Sequence, residues 1–260
     1  MNLFRIFGIQ LAVHVSFVLL LAYYAYEGWS EGGLAGMTWN VGLILLFFGC
    51  VVLHELGHSL TARRYGVRVP RILLMPIGGM AEMDRIPRQP RAELLITIAG
   101  PAVNFGIVLL MAPFLWRDLL SEAPTTEPNL RALGVQLLAA NAVMGVFNLL
   151  PVFPMDGGRI FRALLAIKLP YLRATYWAAL IGKSLALVFA LVAGLYWHHY
   201  LLAALFLFIL FAADAEYKTV LRREQEAAYW AEMARRLATT PPADGNEPPA
   251  PPPLLFHGPN

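Results

Sequence analysis

Residues 39–62, WNVGLILLFFGCVVLHELGHSLTA, form an apolar run long enough to cross a bilayer, yet carry two histidines and a glutamate. A crossing helix needs about 20 mostly apolar residues. An ionisable side chain at that depth costs about 2.5–3.5 kcal/mol or more, and by default marks a functional site. This one segment therefore constrains both the solvent of the fold and the chemistry it must hold.

Five further runs match it: 7–26, 94–116, 132–153, 174–197 and 199–214, the last short and parted from the fifth only at His198-His199. The expected fold is an all-α polytopic membrane protein of about six transmembrane helices. Composition agrees, with 58% hydrophobic and 14% charged residues, where a soluble domain has about 45–50% and about 25%. The first run resembles a signal peptide but has no small-x-small cleavage site after it, so it reads as an uncleaved span. The lone Cys50 excludes an internal disulfide framework. The net charge of +3 comes with no basic stripe, so no nucleic-acid partner is expected.

Lys/Arg asymmetry orients the spans. The loop 63–93 carries Arg63, Arg64, Arg68, Arg71, Arg85, Arg88 and Arg91, and basic residues recur in 156–173 and after residue 214. The opposite loops, 27–38 and 117–131, hold only Arg117 and Arg131. Both termini are therefore expected in the cytoplasm, and the compact architecture suggests a prokaryotic inner membrane. The expected membrane domain is 1–215, followed by a cytoplasmic helix at 216–239 and a Pro-rich disordered tail at 240–260.

His54, Glu55 and His58 spell H-E-x-x-H. On a helix, positions i and i+4 lie about 40° apart and about 6 Å along the axis, so both imidazoles reach one metal ion. Zinc is the expected cofactor, one per chain, with Glu55 placed to take a proton from an activated water. A catalytic zinc needs a third protein ligand and an open position. The candidate lies in NLLPVFPMDGGR, residues 148–159, where prolines end the fourth span and Asp156 is expected in an irregular segment. Taken alone, Asp156 reads better as a loop or cap carboxylate than as a ligand. Spans two and four run in the same direction, so their cytoplasmic ends can converge. His54 and His58 then sit roughly 7–14 Å inside the cytoplasmic boundary.

H-E-L-G-H in one span and N-x-x-P-x-x-P-x-D-G-G at the end of another resemble the site-2 protease family of intramembrane zinc metalloproteases. The resemblance covers most of residues 1–215. It implies zinc held by His54, His58 and Asp156, Glu55 as general base, and a catalytic core of spans two to four. It also implies roles near the metal for Asn104, after a Gly100-Pro101 break, and for Asn148, each otherwise an interhelical hydrogen-bonding residue. Residues 66–83 alternate like strands around Gly78-Gly79, and resemble the family's re-entrant β-hairpin between spans two and three, which can receive an unwound substrate by strand addition. The bland reading of that hairpin is a basic surface turn. Neither the loops nor the tail have room for the PDZ or CBS domains of some relatives, which gives a compact form.

The implied substrate is a single-span transmembrane protein, such as a membrane-held regulator, cut within the bilayer where Gly, Pro or polar residues loosen its helix. A separate regulatory membrane protein is a possible partner. The rival readings are a zinc transporter and an inactive scaffold that binds membrane helices. His14 in span one reads as a packing residue or as lining an access path, and His198 and His199 as interfacial.

Overall fold

A computed structural model describes residues 1–84, 87–119 and 129–239; the expected Pro-rich tail at 240–260 lies outside the described residues. The chain divides into two compact units, Met1–Lys218 and Thr219–Asn260.

The first unit begins with strands β1 (Asn2–Ile6) and β2 (Ile9–Val13), joined at Phe7-Gly8. Both turn residues have positive φ, 51° and 80°, the geometry that matches the right-handed twist of a hairpin. The first span is therefore shorter than 7–26. Residues 9–13 alternate Ile-Gln-Leu-Ala-Val, a strand period that an apolar count alone does not separate from a helix. Helix α1 then runs Val15–Arg64.

Its 50 residues are not one rod. Gly32 and Gly33 leave helical geometry, and Gly33 takes φ 58°, ψ −141°. Phe17 and Phe48 meet edge to face with centroids 4.6 Å apart; along a straight helix they would stand about 46 Å apart. The two halves of α1 therefore fold back on each other. A Cβ on Gly28 would lie 2.9 Å from Met37 Cα, so the glycines of EGWSEGGLAG make both the turn and the close approach.

Strands β3 (Arg71–Met75) and β4 (Gly78–Ala81) follow as an antiparallel hairpin. They complete a four-stranded sheet of order β1-β2-β3-β4, with β2 and β3 parallel. Parallel neighbours need a crossover, and the α1 hairpin supplies it. The expected hairpin is thus half of a sheet, and the N-terminal half is an addition to the all-α expectation. Ile9, Leu11, Val13, Ile72 and Leu74 bury one face of the sheet against Phe17, Phe48, Val51, Val52 and Leu56 of α1. This seats β4, an edge strand, against the second half of α1.

Helix α2 (Pro90–Leu119) includes Pro101 and Pro113, so the expected break at Gly100-Pro101 is absent. Helix α3 (Leu130–Asn148) stops well before residue 153, because Pro151 and Pro154 cannot continue it. Helix α4 (Asp156–Ala166) was not anticipated: Asp156 opens a short helix instead of sitting in irregular chain. Gly157 and Gly158 are needed for space, not for unusual dihedrals. A Cβ on either would fall against the backbone of Leu149–Leu150 or of Val152–Phe153. Helix α5 (Tyr171–Leu191) passes into a π-turn (Val192–Tyr196). Helix α6 (Tyr200–Thr239) contains both the expected sixth span and the helix expected at 216–239. In the second unit, Arg236 Nε pairs with Glu232 at 3.0 Å, one turn away.

Five of these helices are long and apolar enough to cross a membrane, and the first of them is the α1 hairpin. Their outward residues, among them Leu109, Leu110, Phe114, Leu201 and Phe211, are largely exposed, as lipid-facing side chains would be.

Candidate metal centre

His54 and His58 lie one turn apart on the second half of α1, and both are buried. Gly57, between them, faces α2: a Cβ there would stand 2.6 Å from Ala99 O. Gly100 of α2 backs the imidazoles themselves. A Cβ on it would collide with His58 Nε2 and lie 2.7 Å from His54 Nε2. The two small residues let α2 close over the histidines.

From the first turn of α4, Asp156 brings Oδ2 to 3.2 Å from His54 Nε2 and 3.1 Å from His58 Nε2. The two Nε2 atoms are themselves 3.1 Å apart. The other face of each ring fixes its proton. His54 Nδ1 lies 2.6 Å from the amide oxygen of Asn104, and His58 Nδ1 lies 2.8 Å from the carbonyl of Ile96. These oxygens only accept, so each neutral ring holds its hydrogen on Nδ1 and turns a lone pair inward. Asn104 Nδ2 donates in turn to Asn141 Oδ1 (2.9 Å), and Asn141 Nδ2 to Leu137 O (2.8 Å).

Two nitrogen lone pairs and a carboxylate oxygen thus share one buried point, an arrangement that repels itself unless a cation lies among them. Ligand atoms about 2.0–2.1 Å from a tetrahedral zinc stand about 3.3 Å apart, close to the separations here. The donor set, two imidazoles and one carboxylate with outer partners already in place, fits zinc.

Glu55 is half-buried on the adjacent side of α1, and its Oε2 accepts from Ala81 N–H of β4 at 3.2 Å. Gly79 lies against the same side chain, since a Cβ on it would stand 2.7 Å from Glu55 Cγ. Gly78 takes φ 134° at the hairpin turn. Both amide groups of Asn104 are engaged by His54 and Asn141. Asn148 Nδ2 donates back to Met144 O at 3.1 Å, and no described contact joins it to the His-His-Asp group. His14 caps α1, Nδ1 accepting from Ser16 N–H at 3.2 Å. His198, with φ 54°, lies with His199 in the turn before α6.

Residues 42–121 and 119–191 match peptidase family M50, more than half of the 260-residue chain. The chain belongs to peptidase family M50. The likeness to site-2 proteases read from HELGH and NLLPVFPMDGG is borne out. A zinc metalloprotease of Methanocaldococcus jannaschii is 45% identical over 225 residues, which cover 84% of this chain and 61% of that protein. The putative zinc metalloprotease Rip3 of Mycobacterium tuberculosis is 31% identical over 193 residues, 71% of this chain and 48% of that one. Among solved structures, a site-2 protease from Methanocaldococcus jannaschii superposes with a TM-score of 0.58 at 40% identity, covering 84% of this chain and 94% of that chain. This M50 chain spans less than two thirds of the length of these curated relatives. With its apolar helices, this M50 member is an integral membrane protein.

Sequence reasoning did not single out Asn141. A second asparagine in the middle of a span was the available signal. It gave no role to Arg162, whose partner Glu93 is distant in sequence.

Proposed function

We propose that this protein is a zinc metalloprotease that hydrolyses a peptide bond within a transmembrane segment of a membrane-protein substrate. The observation that carries the reading is the convergence of His54 Nε2, His58 Nε2 and Asp156 Oδ2 beside Glu55, buried in an apolar bundle. Membership of M50 and relatives named zinc metalloproteases support it. Bound there, zinc would supply Lewis acidity toward a water and a substrate carbonyl.

Glu55 acts as the general base. Ala81 N–H holds its Oε2, while Oε1 has no protein donor among the described residues. The carboxylate takes a proton from the attacking water as the new C–O bond forms. It then delivers that proton to the departing amide nitrogen as the C–N bond breaks. Asn104 and the Ile96 carbonyl hold the imidazoles in the required tautomer.

A helical substrate hides its carbonyls in its own hydrogen bonds, so it must unwind before attack. Edge strand β4, beside Glu55, has no further strand on its outer side among the described residues, where an extended segment can add, with Gly78 and Gly79 at its start. The substrate class is a single-span protein, such as a membrane-held regulator, and a separate membrane protein can regulate access. This reading counts the two halves of α1 as separate crossings, six in all, with both termini cytoplasmic, in a prokaryotic inner membrane. Residues 1–215 form the protease domain.

The test is to incubate the purified zinc-loaded protein with a single-span substrate carrying a Gly/Pro-containing segment, and to map the products by mass spectrometry. The reading expects a cut inside the apolar segment that a chelator abolishes. Cleavage confined to the water-exposed flanks would refute it.

A further inference from the structure

A second buried polar cluster lies outside the metal group. Arg162 of α4 is 1% exposed and Glu93 of α2 is wholly buried. Arg162 Nε donates to Glu93 Oε1 at 2.8 Å, and Nη2 donates to the same oxygen. Arg162 Nη1 donates to Glu216 Oε1 of α6 at 2.9 Å. The guanidinium also lies over the rings of Phe153 and Tyr171, 5.1 Å from each centroid.

Stability is a poor explanation for such a pair, because desolvating two charges roughly cancels their attraction. The backbones it joins offer a better one. Glu93 lies one turn before Ile96, whose carbonyl orients His58, on the same helix as Asn104, which orients His54. Arg162 lies six residues after Asp156 on α4, about 9 Å along the axis. Helix α4 has only 11 residues, and its N-cap Met155 makes no side-chain capping bond. Its placement on α2 decides whether Asp156 Oδ2 meets both imidazoles. Arg162 also packs on Phe153, in the segment leading into Asp156, so one side chain fixes the approach and the body of α4.

We infer that Arg162, through Glu93, is a positioning residue for the metal centre: the pair sets the register of α4 against α2 and so aims Asp156 at His54 and His58. The inference rests on the metal reading above. It assigns Arg162 no contact with substrate or with the reacting atoms.

The experiment uses the full-length protein in detergent, comparing the native chain with Arg162→Lys, Arg162→Met and the double variant Glu93→Met/Arg162→Met. The double variant removes the buried pair and leaves unpartnered only Glu216, whose side chain is 28% exposed and can be hydrated, so its fold should survive. Four quantities are read: zinc affinity by chelator competition, the visible spectrum of the Co²⁺-substituted protein, thermal stability, and cleavage. The expected result is a double variant that melts like the native chain, binds zinc about 10–100-fold more weakly and shows altered cobalt bands, with Arg162→Lys restoring part of the affinity. Native zinc affinity and native cobalt bands in the double variant would overturn the inference. So would a loss of zinc that merely follows a loss of thermal stability across the series. Failure of the native chain itself to bind zinc would overturn the metal reading instead.

Discussion

His54 donates from Nδ1 to the amide oxygen of Asn104 across 2.6 Å, and Asn104 passes the pattern on to Asn141. The direction of this chain fixes which ring nitrogen faces Asp156. Replacing Asn104 by Ala should free the His54 ring to rotate and change tautomer. Zinc affinity should fall about 10–100-fold, as for other residues that support metal ligands. Chelator competition on the purified variant checks this, and Asn141→Ala should show a smaller effect in the same direction.

Gly100→Ala separates packing from propensity. In a helix interior, alanine is favoured over glycine by about 1 kcal/mol, so the helix itself should gain. The added Cβ, however, would meet both Nε2 atoms. The expected outcome is a folded protein with zinc well below one per chain, read by metal analysis alongside thermal stability.

Ala81→Pro tests the link between β4 and Glu55. The Ala81 N–H points to Glu55 Oε2, so proline removes that donor, on an edge strand where proline is tolerated. A hydrogen bond to a charged group is worth about 1.5–3 kcal/mol, so kcat should drop about 10–100-fold while zinc content stays native. Steady-state kinetics and metal analysis together read the two quantities.

The membrane architecture and the ligand candidates were legible because each rests on a local pattern. H-E-x-x-H needs only the helical period, and a span needs only length and apolarity. The N-terminal strands were hidden because Ile9, Leu11 and Val13 are as apolar as a span; their period of two and the Phe7-Gly8 turn were the discriminating signals. Asp156 was identified by residue type but misplaced by environment. Gly157 and Gly158 look like loop residues, yet they are small because α4 presses on the chain that precedes it. Of the outer partners of the candidate metal group, Asn104 was named from the sequence, but the others were out of reach for a different reason. Ile96 contributes a backbone carbonyl, which leaves no trace in side-chain identity. The Glu93–Arg162 pair spans 69 residues, and only the folded chain brings it together.

The central claim is that Glu55 moves the proton beside a zinc held by His54, His58 and Asp156. Its most direct test compares the native chain with Glu55→Gln, measuring zinc per chain and the rate of cleavage of a helix-destabilised transmembrane substrate. The account predicts about one zinc in both, with cleavage about 10²–10⁴-fold slower in the variant. Equal rates in both, or a native chain that holds no zinc, would contradict it.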